Sequence, residues 1–404
     1  MTTDRPAPPA SLRQRRREQH SAANLISLVS AAFLLVVGGW YVLSYYQDVQ
    51  LSSLVLSSHR GTVTTLAWSA NGALLLSMDD GRSGDDSTRS TVIVWDAVSG
   101  EKLFELPTRG MFPEAAAMSP AGDRVACAMR DPAMDSVSVI GFFDARRGTL
   151  LREHRLRTGP VSRLLFSPGG KRLAAFSDAV LVWNPRTGAL VDSLRVNEIL
   201  YGFDLAFRSE GALPAAGMRG DTIVLRDVLR RTRRTIVIPG MAEAGRTAFS
   251  ADGARLFAAT GDSIFVYSTD TGARLSGIAH RGKGSGSLLV ARDGSRLLLC
   301  ESVSRIELVD AATAAVIASF DGGVTGGDGA LRAVFAPDGK RFAISNAFDG
   351  SVRVCDAATG RVTHTVRHRE SMLESRDGDC MIAFPPRGAG LATARKDIRI
   401  WKLD

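Results

Sequence analysis

The strongest constraint in the sequence is a six-residue turn that recurs eight times: "SANGAL" at 69, "SPAGDR" at 119, "SPGGKR" at 167, "RSEGAL" at 208, "SADGAR" at 250, "ARDGSR" at 291, "APDGKR" at 336 and "PPRGAG" at 385. Gly holds the fourth place each time, where a tight turn often needs a positive φ that other residues tolerate poorly. An alternating strand precedes each turn, as in "TVTTLAW" and "LRAVF", and an apolar strand follows it. A third strand comes 10 to 30 residues after the turn: "TVIVWD", "VIGFFD", "VLVWNP", "TIVLRD", "SIFVYS", "RIELVD", "SVRVCD" and "IRIWKL". Aligned on Trp95, Phe143, Trp183, Arg226, Tyr267, Val309, Cys355 and Trp401, the period is 40 to 48 residues, so internal repetition governs the chain beyond residue 50.

Over residues 50–404 the order of SPDG-like turn, apolar strand, V-x-V-W-D and x-T-G-x resembles the WD40 repeat family. The resemblance implies an all-β propeller of eight blades, with seven as the fallback because copies 4 and 6 are the poorest. It also implies that each repeat opens with the outermost strand of the preceding blade. The final strand, in "DIRIWKLD" at 397–404, is then a third strand without a fourth. Residues 49–58, "VQLSSLVLSS", alternate suitably and are expected to pair with it, closing the ring and removing an open sheet edge. Blades of this family often hold a buried network of His, Ser or Thr, Asp and Trp. Only the first copy offers the set: His59, Ser77, Asp79 or Asp80, and Trp95. Copy 7 keeps Asp349 but has Cys355 for Trp, and copy 8 has Trp401 but Arg395 where Asp would sit. Most blades are therefore expected to rely on apolar packing.

Residues 25–46, "LISLVSAAFLLVVGGWYVLSYY", carry no charge and rise about 33 Å as a helix, enough to cross the hydrocarbon core. A cleaved signal peptide would have a shorter apolar core, and Trp40, Tyr41, Tyr45 and Tyr46 suit an interfacial belt. Arg13, Arg15, Arg16 and Arg17 precede the span, whereas Asp48 is the sole charge just after it. The positive-inside rule then gives a basic, disordered cytoplasmic tail (1–23), a signal-anchor helix (24–46) in the inner (plasma) membrane, and a propeller (47–404) on the extracytoplasmic, periplasmic side. The skew of 44 Arg to six Lys fits a GC-rich bacterial genome. A net charge of +8 without zinc-ligand pairs or RNP-like aromatic strings argues against nucleic acid as a partner.

Chemistry is sparse. Cys127, Cys300, Cys355 and Cys380 lie singly in apolar strands and read as buried thiols. No G-x-S-x-G, P-loop or H-E-x-x-H pattern occurs, so neither catalysis, cofactor nor metal is expected. The function expected is a membrane-tethered, non-enzymatic scaffold for an unidentified protein partner. The alternatives are a quinoprotein-like propeller enzyme, in which Phe104 and Thr363 stand where docking Trp residues would be wanted, or an envelope-assembly factor. Insertions at 79–90, 130–136, 321–330 and 367–379 map to the face bearing the d–a and b–c loops, on adjacent blades 7, 8, 1 and 2. Asp79, Asp80, Asp85, Asp86, Arg367, His368, Arg369 and Glu370 are the candidate partner-binding residues there. The a–b turns and c–d segments together carry eight more basic than acidic residues, densest in "RDVLRRTRR" at 226–234. Arg230, Arg231, Arg233 and Arg234 are the candidate contacts to anionic headgroups.

Overall fold

Strands alternate with tight turns along the whole described chain, and every sheet holds four strands in antiparallel order. The structure is a computed structural model and describes residues 52–81, 90–134, 137–195, 201–208, 212–219, 221–238, 246–260, 263–279, 288–301, 305–313, 315–321, 333–346, 351–368, 380–386 and 390–403. These form 32 strands, β1 (Ser52–Ser57) to β32 (Asp397–Lys402), in eight sheets. Seven sheets are four consecutive strands, a to d. The eighth takes three strands from the end of the chain and its fourth from the beginning, β1, giving an eight-bladed β-propeller. Residues 52–370 and 374–404 belong to one compact unit.

Ring closure is read directly from the register. Leu54 faces Ile400, Val55 faces Arg399, Leu56 faces Ile398 and Ser57 faces Asp397. Leu56 and Ile398 are buried with Val63, Leu75, Ile93 and Trp95 of blade 1, so the joining sheet also packs on its neighbour. The predicted closure by 49–58 therefore holds over the described residues 52–57. The predicted span at 24–46 lies outside the described residues, among which no helix is long and apolar enough to cross a membrane.

Two local devices repeat. At the a–b turn the leading Ser accepts an amide across the loop, as Ser69 Oγ does from Leu74 at 2.9 Å, while Gly72 takes φ 74°. At the end of strand c an Asp or Asn caps the c–d turn: Asp96, Asp144, Asn184, Asp227, Asp310 and Asp356 each accept two amides from the residues two and three ahead. The "D" that ends the third strand is thus a turn-capping group. Backbone amides hold the Asp96, Asp144 and Asp310 carboxyls below the usual carboxylate range, and for Asp356 the Thr359 hydroxyl leads the same effect.

Between strands b and c the side chains are almost wholly apolar and buried. Cys127 packs with Val125, Val139 and Phe143, and Cys355 with Phe342 and Leu308. All four cysteines are free and buried, and burial pushes the Cys127 thiol up to about 12 and Cys300 to about 11. Blade 4 departs from the others. Its c–d register runs without the bulge found in blades 1, 2, 3, 5, 6 and 7, and Arg231 adopts φ 55° in its turn.

Candidate functional site

One face of the ring carries the d–a and b–c connections, and blade 1 shows how its walls are fixed. His59, in the loop entering blade 1, sits with Nε2 2.6 Å from Ser77 Oγ and Nδ1 3.2 Å from Asp79 Oδ2. Trp95 donates its Nε1–H to the same Ser77 oxygen at 2.8 Å. A single proton ordering satisfies all of these: Nδ1–H towards Asp79, the Ser77 hydroxyl towards Nε2, the indole towards Ser77. The predicted set His59, Ser77, Asp79 and Trp95 therefore assembles, and the sequence's choice between Asp79 and Asp80 resolves to Asp79. Although this is a Ser–His–Asp arrangement, Ser77 and Asp79 are 0% and 1% exposed, so no substrate can reach the hydroxyl. Its work is positional. Asp79 also accepts the amides of Arg60, Gly61 and Thr91 (3.3, 3.3 and 2.5 Å), and half-buried Asp80 accepts Thr62 at 2.9 Å. Burial would raise the Asp79 carboxyl, but these bonds and His59 outweigh it and hold it low.

The walls so held enclose a groove of about 870 Å3 on blades 1 and 2. Ser58 and Arg60 line one side, Ser90 and Thr91 the second, with Lys102, Glu105, Thr108, Met111 and Phe112 completing it. Lys102 pairs with Glu105 at 2.9 Å. Arg60 is exposed, and its guanidinium has no ion-pair partner among the described residues. Met111 and Phe112 remain partly exposed, with the Arg130 guanidinium 5.8 Å from the Phe112 ring centre. The groove offers one cation without an ion-pair partner among the described residues, several hydroxyls and an apolar end. Sequence reasoning missed it, because its lining comes from a d–a loop, a b–c loop and strand d that no motif connects.

A second network corrects the reading of copy 8. His368 Nδ1 lies 2.7 Å from Thr393 Oγ1, which accepts the Trp401 indole at 2.8 Å, while His368 Nε2 lies 2.5 Å from Asp397. Arg395 does occupy the expected Asp position, but Asp397, two residues later, supplies the carboxylate. Arg399 reinforces it from 3.2 Å. Burial lowers the His368 pKa more than Asp397 raises it. For Asp397, burial is outweighed by His368 and Arg399, and its carboxyl is held low. His368, a candidate partner residue, is 0% exposed and committed inside blade 8, as Asp79 is inside blade 1. Arg367 is exposed at the end of its strand, and Asp85, Asp86, Arg369 and Glu370 lie outside the described residues. Elsewhere apolar residues take over. The position matching Ser77 is Cys127 in blade 2, Ala175 in blade 3, Ala258 in blade 5, Leu299 in blade 6 and Ile344 in blade 7.

On the opposite face, the clustered arginines of blade 4 staple neighbouring blades. Arg231 makes a two-pronged contact with Asp192 of blade 3, at 3.2 and 3.0 Å. Arg230 reaches Asp270 of blade 5 at 3.0 Å, and Arg234 donates to the Asp270 carbonyl at 2.6 Å. Arg233 lies exposed in the adjoining strand. Arg124, Arg255 and Arg296 likewise donate to carbonyls of a following blade. Much of the basic excess on this face is therefore spent between blades. Among the described residues no group of three His, Cys, Asp or Glu could hold a metal ion.

Residues 51–96, which span the closing strand and strands a to c of blade 1, match the family model described as WD domain, G-beta repeat. This stretch is similar to a WD40 repeat. The match begins at the outer strand of the preceding blade, as the offset between WD40 repeats and blades requires. Many solved structures match the fold. One is the β-propeller domain of Cps50 (Swd1) from Myceliophteria thermophila, at a TM-score of 0.52 and 16% identity, covering 72% of this chain and 96% of that chain. At that identity the likeness is one of fold. No curated protein matches the chain in sequence. WD40 propellers in general are protein-binding scaffolds.

Proposed function

We propose that the protein is a membrane-tethered WD40 propeller whose blade 1–2 groove binds an extended segment of a partner protein on the extracytoplasmic side. The groove carries the reading. Its walls are held by buried side chains rather than by loop packing alone, so it is preorganised and loses little entropy on binding. Arg60 suits an acidic side chain, and Met111 with Phe112 suits an apolar one a few residues away. The tether rests on the uncharged run at 25–46 and the arginines before it. The buried state of the Ser77–His59–Asp79 set favours a scaffold over a hydrolase.

A photocrosslinking residue at Thr108 in the full chain is expected to give a discrete protein adduct in cells. The change R60E is expected to remove that adduct while leaving the fold intact, since the Arg60 side chain lies at the surface. An adduct indifferent to that change overturns the groove. For the tether and side, protease added outside intact spheroplasts is expected to degrade the propeller of a carbonate-resistant chain. Full protection overturns the orientation, and extraction by carbonate overturns the anchor.

A further inference from the structure

The face opposite the groove holds basic side chains that the blade-to-blade staples do not use. At the c–d turn of blade 2, Asp144 accepts the amides of Arg146 and Arg147 at 2.9 and 2.8 Å, which leaves both guanidinium groups exposed at the tip. Asn184 does the same for exposed Arg186 in blade 3, at 2.9 Å. Lys171 is exposed at the a–b turn of blade 3, beside Gly170, whose amide donates to Ser167 at 2.8 Å. None of these four cations has an ion-pair partner among the described residues. Of the acidic groups nearby, Asp144 and Asp96 cap their own turns, Asp96 within electrostatic reach of Arg146, and Asp192 pairs with Arg231.

The same turns expose apolar side chains. Val98 at the tip of blade 1 is 78% exposed, and Leu151 and Leu190, at the turn-proximal ends of strand d in blades 2 and 3, are 46% and 52% exposed. Leu275, Val316 and Val362 sit comparably in blades 5, 6 and 7. There the c–d tips Asp270–Thr271, Ala312–Thr313 and Ala358–Thr359 carry no basic side chain, and the exposed cations are Arg274 over the Phe265 ring in blade 5, Arg292 in blade 6, and Lys340 and Arg361 in blade 7. Among the described residues, two adjacent arginines without ion-pair partners share a c–d tip in blade 2 alone, next to the cations and exposed aliphatic group of blade 3.

We propose that this arc, on blades 1 to 3, seats on an anionic lipid surface. Cations near such a surface gain from its negative potential, and short aliphatic side chains gain by entering the interface. A nucleic acid would satisfy the cations but leave Val98, Leu151 and Leu190 in water, and the arc has no aromatic face for bases to stack on. The proposal goes beyond the partner groove and uses the tether only to bring the surface near.

The test uses the full chain in vesicles of phosphatidylcholine, with or without phosphatidylglycerol. The four native thiols are buried, so a polarity-sensitive fluorophore goes selectively to L151C or, as a control on blade 6, to T313C. The label at 151 is expected to shift blue only with phosphatidylglycerol, and to lose that shift at high salt. R146S/R147S/R186S removes three of the four charges and is expected to weaken seating on the order of 100-fold at low salt. These side chains lie at exposed turn tips and their backbone caps remain, so folding is preserved. An unchanged label at 151, or an equal response at 313, overturns the proposal. Displacement of the label from the vesicle by a short RNA duplex at low salt also overturns it, in favour of nucleic acid. Carbonate extraction reports the tether separately, so the two failures are distinguishable.

Discussion

Thr393→Val removes one oxygen from the blade that closes the ring and leaves the side-chain shape nearly unchanged. That hydroxyl is fully buried and serves two partners, His368 Nδ1 at 2.7 Å and the Trp401 indole at 2.8 Å. Valine satisfies neither, and water has no access to either atom. Leaving a buried polar group unpaired costs about 1–3 kcal/mol, so two together give a loss of roughly 2–6 kcal/mol. Val is at least as good a strand former as Thr, so backbone propensity does not offset this. Urea unfolding of the full chain in detergent should show a lower midpoint with an unchanged slope, which indicates lost stability rather than altered compactness. Hydrogen exchange should accelerate in β1 and β32 before the other blades. Thr365→Val, at an exposed position of blade 7, is the matched control and should fall within about 0.5 kcal/mol of wild type. A Thr393→Val loss no larger than the control's, with β1 protection unchanged, would refute the claim that this network holds the closing blade.

The same network sets a pH dependence. Because burial depresses His368 from 6.5, the unfolded chain takes up a proton first, so stability declines as pH falls below about 6.5 and levels off once the folded-state histidine also protonates. Asp397, depressed from 3.8, adds a further loss as pH falls below its unfolded value and through its folded one. A titration of the unfolding midpoint in His368→Gln should therefore be flatter between pH 7 and 5 than in wild type, and parallel curves would contradict this. Close approach of blades gives a third test. Gly360 has φ 72°, and a Cβ there would collide with the Ala318 Cβ of blade 6, whereas at Gly110, φ 82°, it would meet nothing within 4 Å. Gly110→Ala should cost about 1 kcal/mol, the backbone contribution alone. Gly360→Ala should cost about 1–3 kcal/mol more by overpacking, and equal losses would show that the blades part freely.

The fold was legible because its signals are local and repeat. The turn glycine, the apolar strand after it and the carboxylate ending strand c all lie within one period, and eight copies reinforce one another. Closure could be inferred because the offset of repeats against blades leaves the outer strand of the last blade to the alternating stretch 49–58. The second network escaped notice for a geometric reason. Ser77 and Trp95 are separated by 18 residues and Thr393 and Trp401 by only 8, yet the cross-strand geometry is the same. Ser77 faces Ile93 and Thr393 faces Arg399, and in each case the Trp follows two residues later. The long b–c insertion of blade 1 hid that equivalence, and His368 lay inside what read as an exposed loop. Comparing strand registers rather than sequence spacings would have found it. The clustered arginines read as a charged patch because their acidic partners, Asp192 and Asp270, sit about 40 residues away on other blades. The groove left no sequence signal, since adjacency between blades is a property of the ring.

β1 completes the last blade by pairing with β32, and one cross-link tests that pairing. Leu54 and Ile400 face each other in the closing register. In the full chain, L54C/I400C should form an intramolecular disulfide under mild oxidation, visible as a faster band on a non-reducing gel, while L54C/L275C, which pairs the same strand with blade 5, should not. Absence of the bond in L54C/I400C, or its equal formation in L54C/L275C, would contradict the ring.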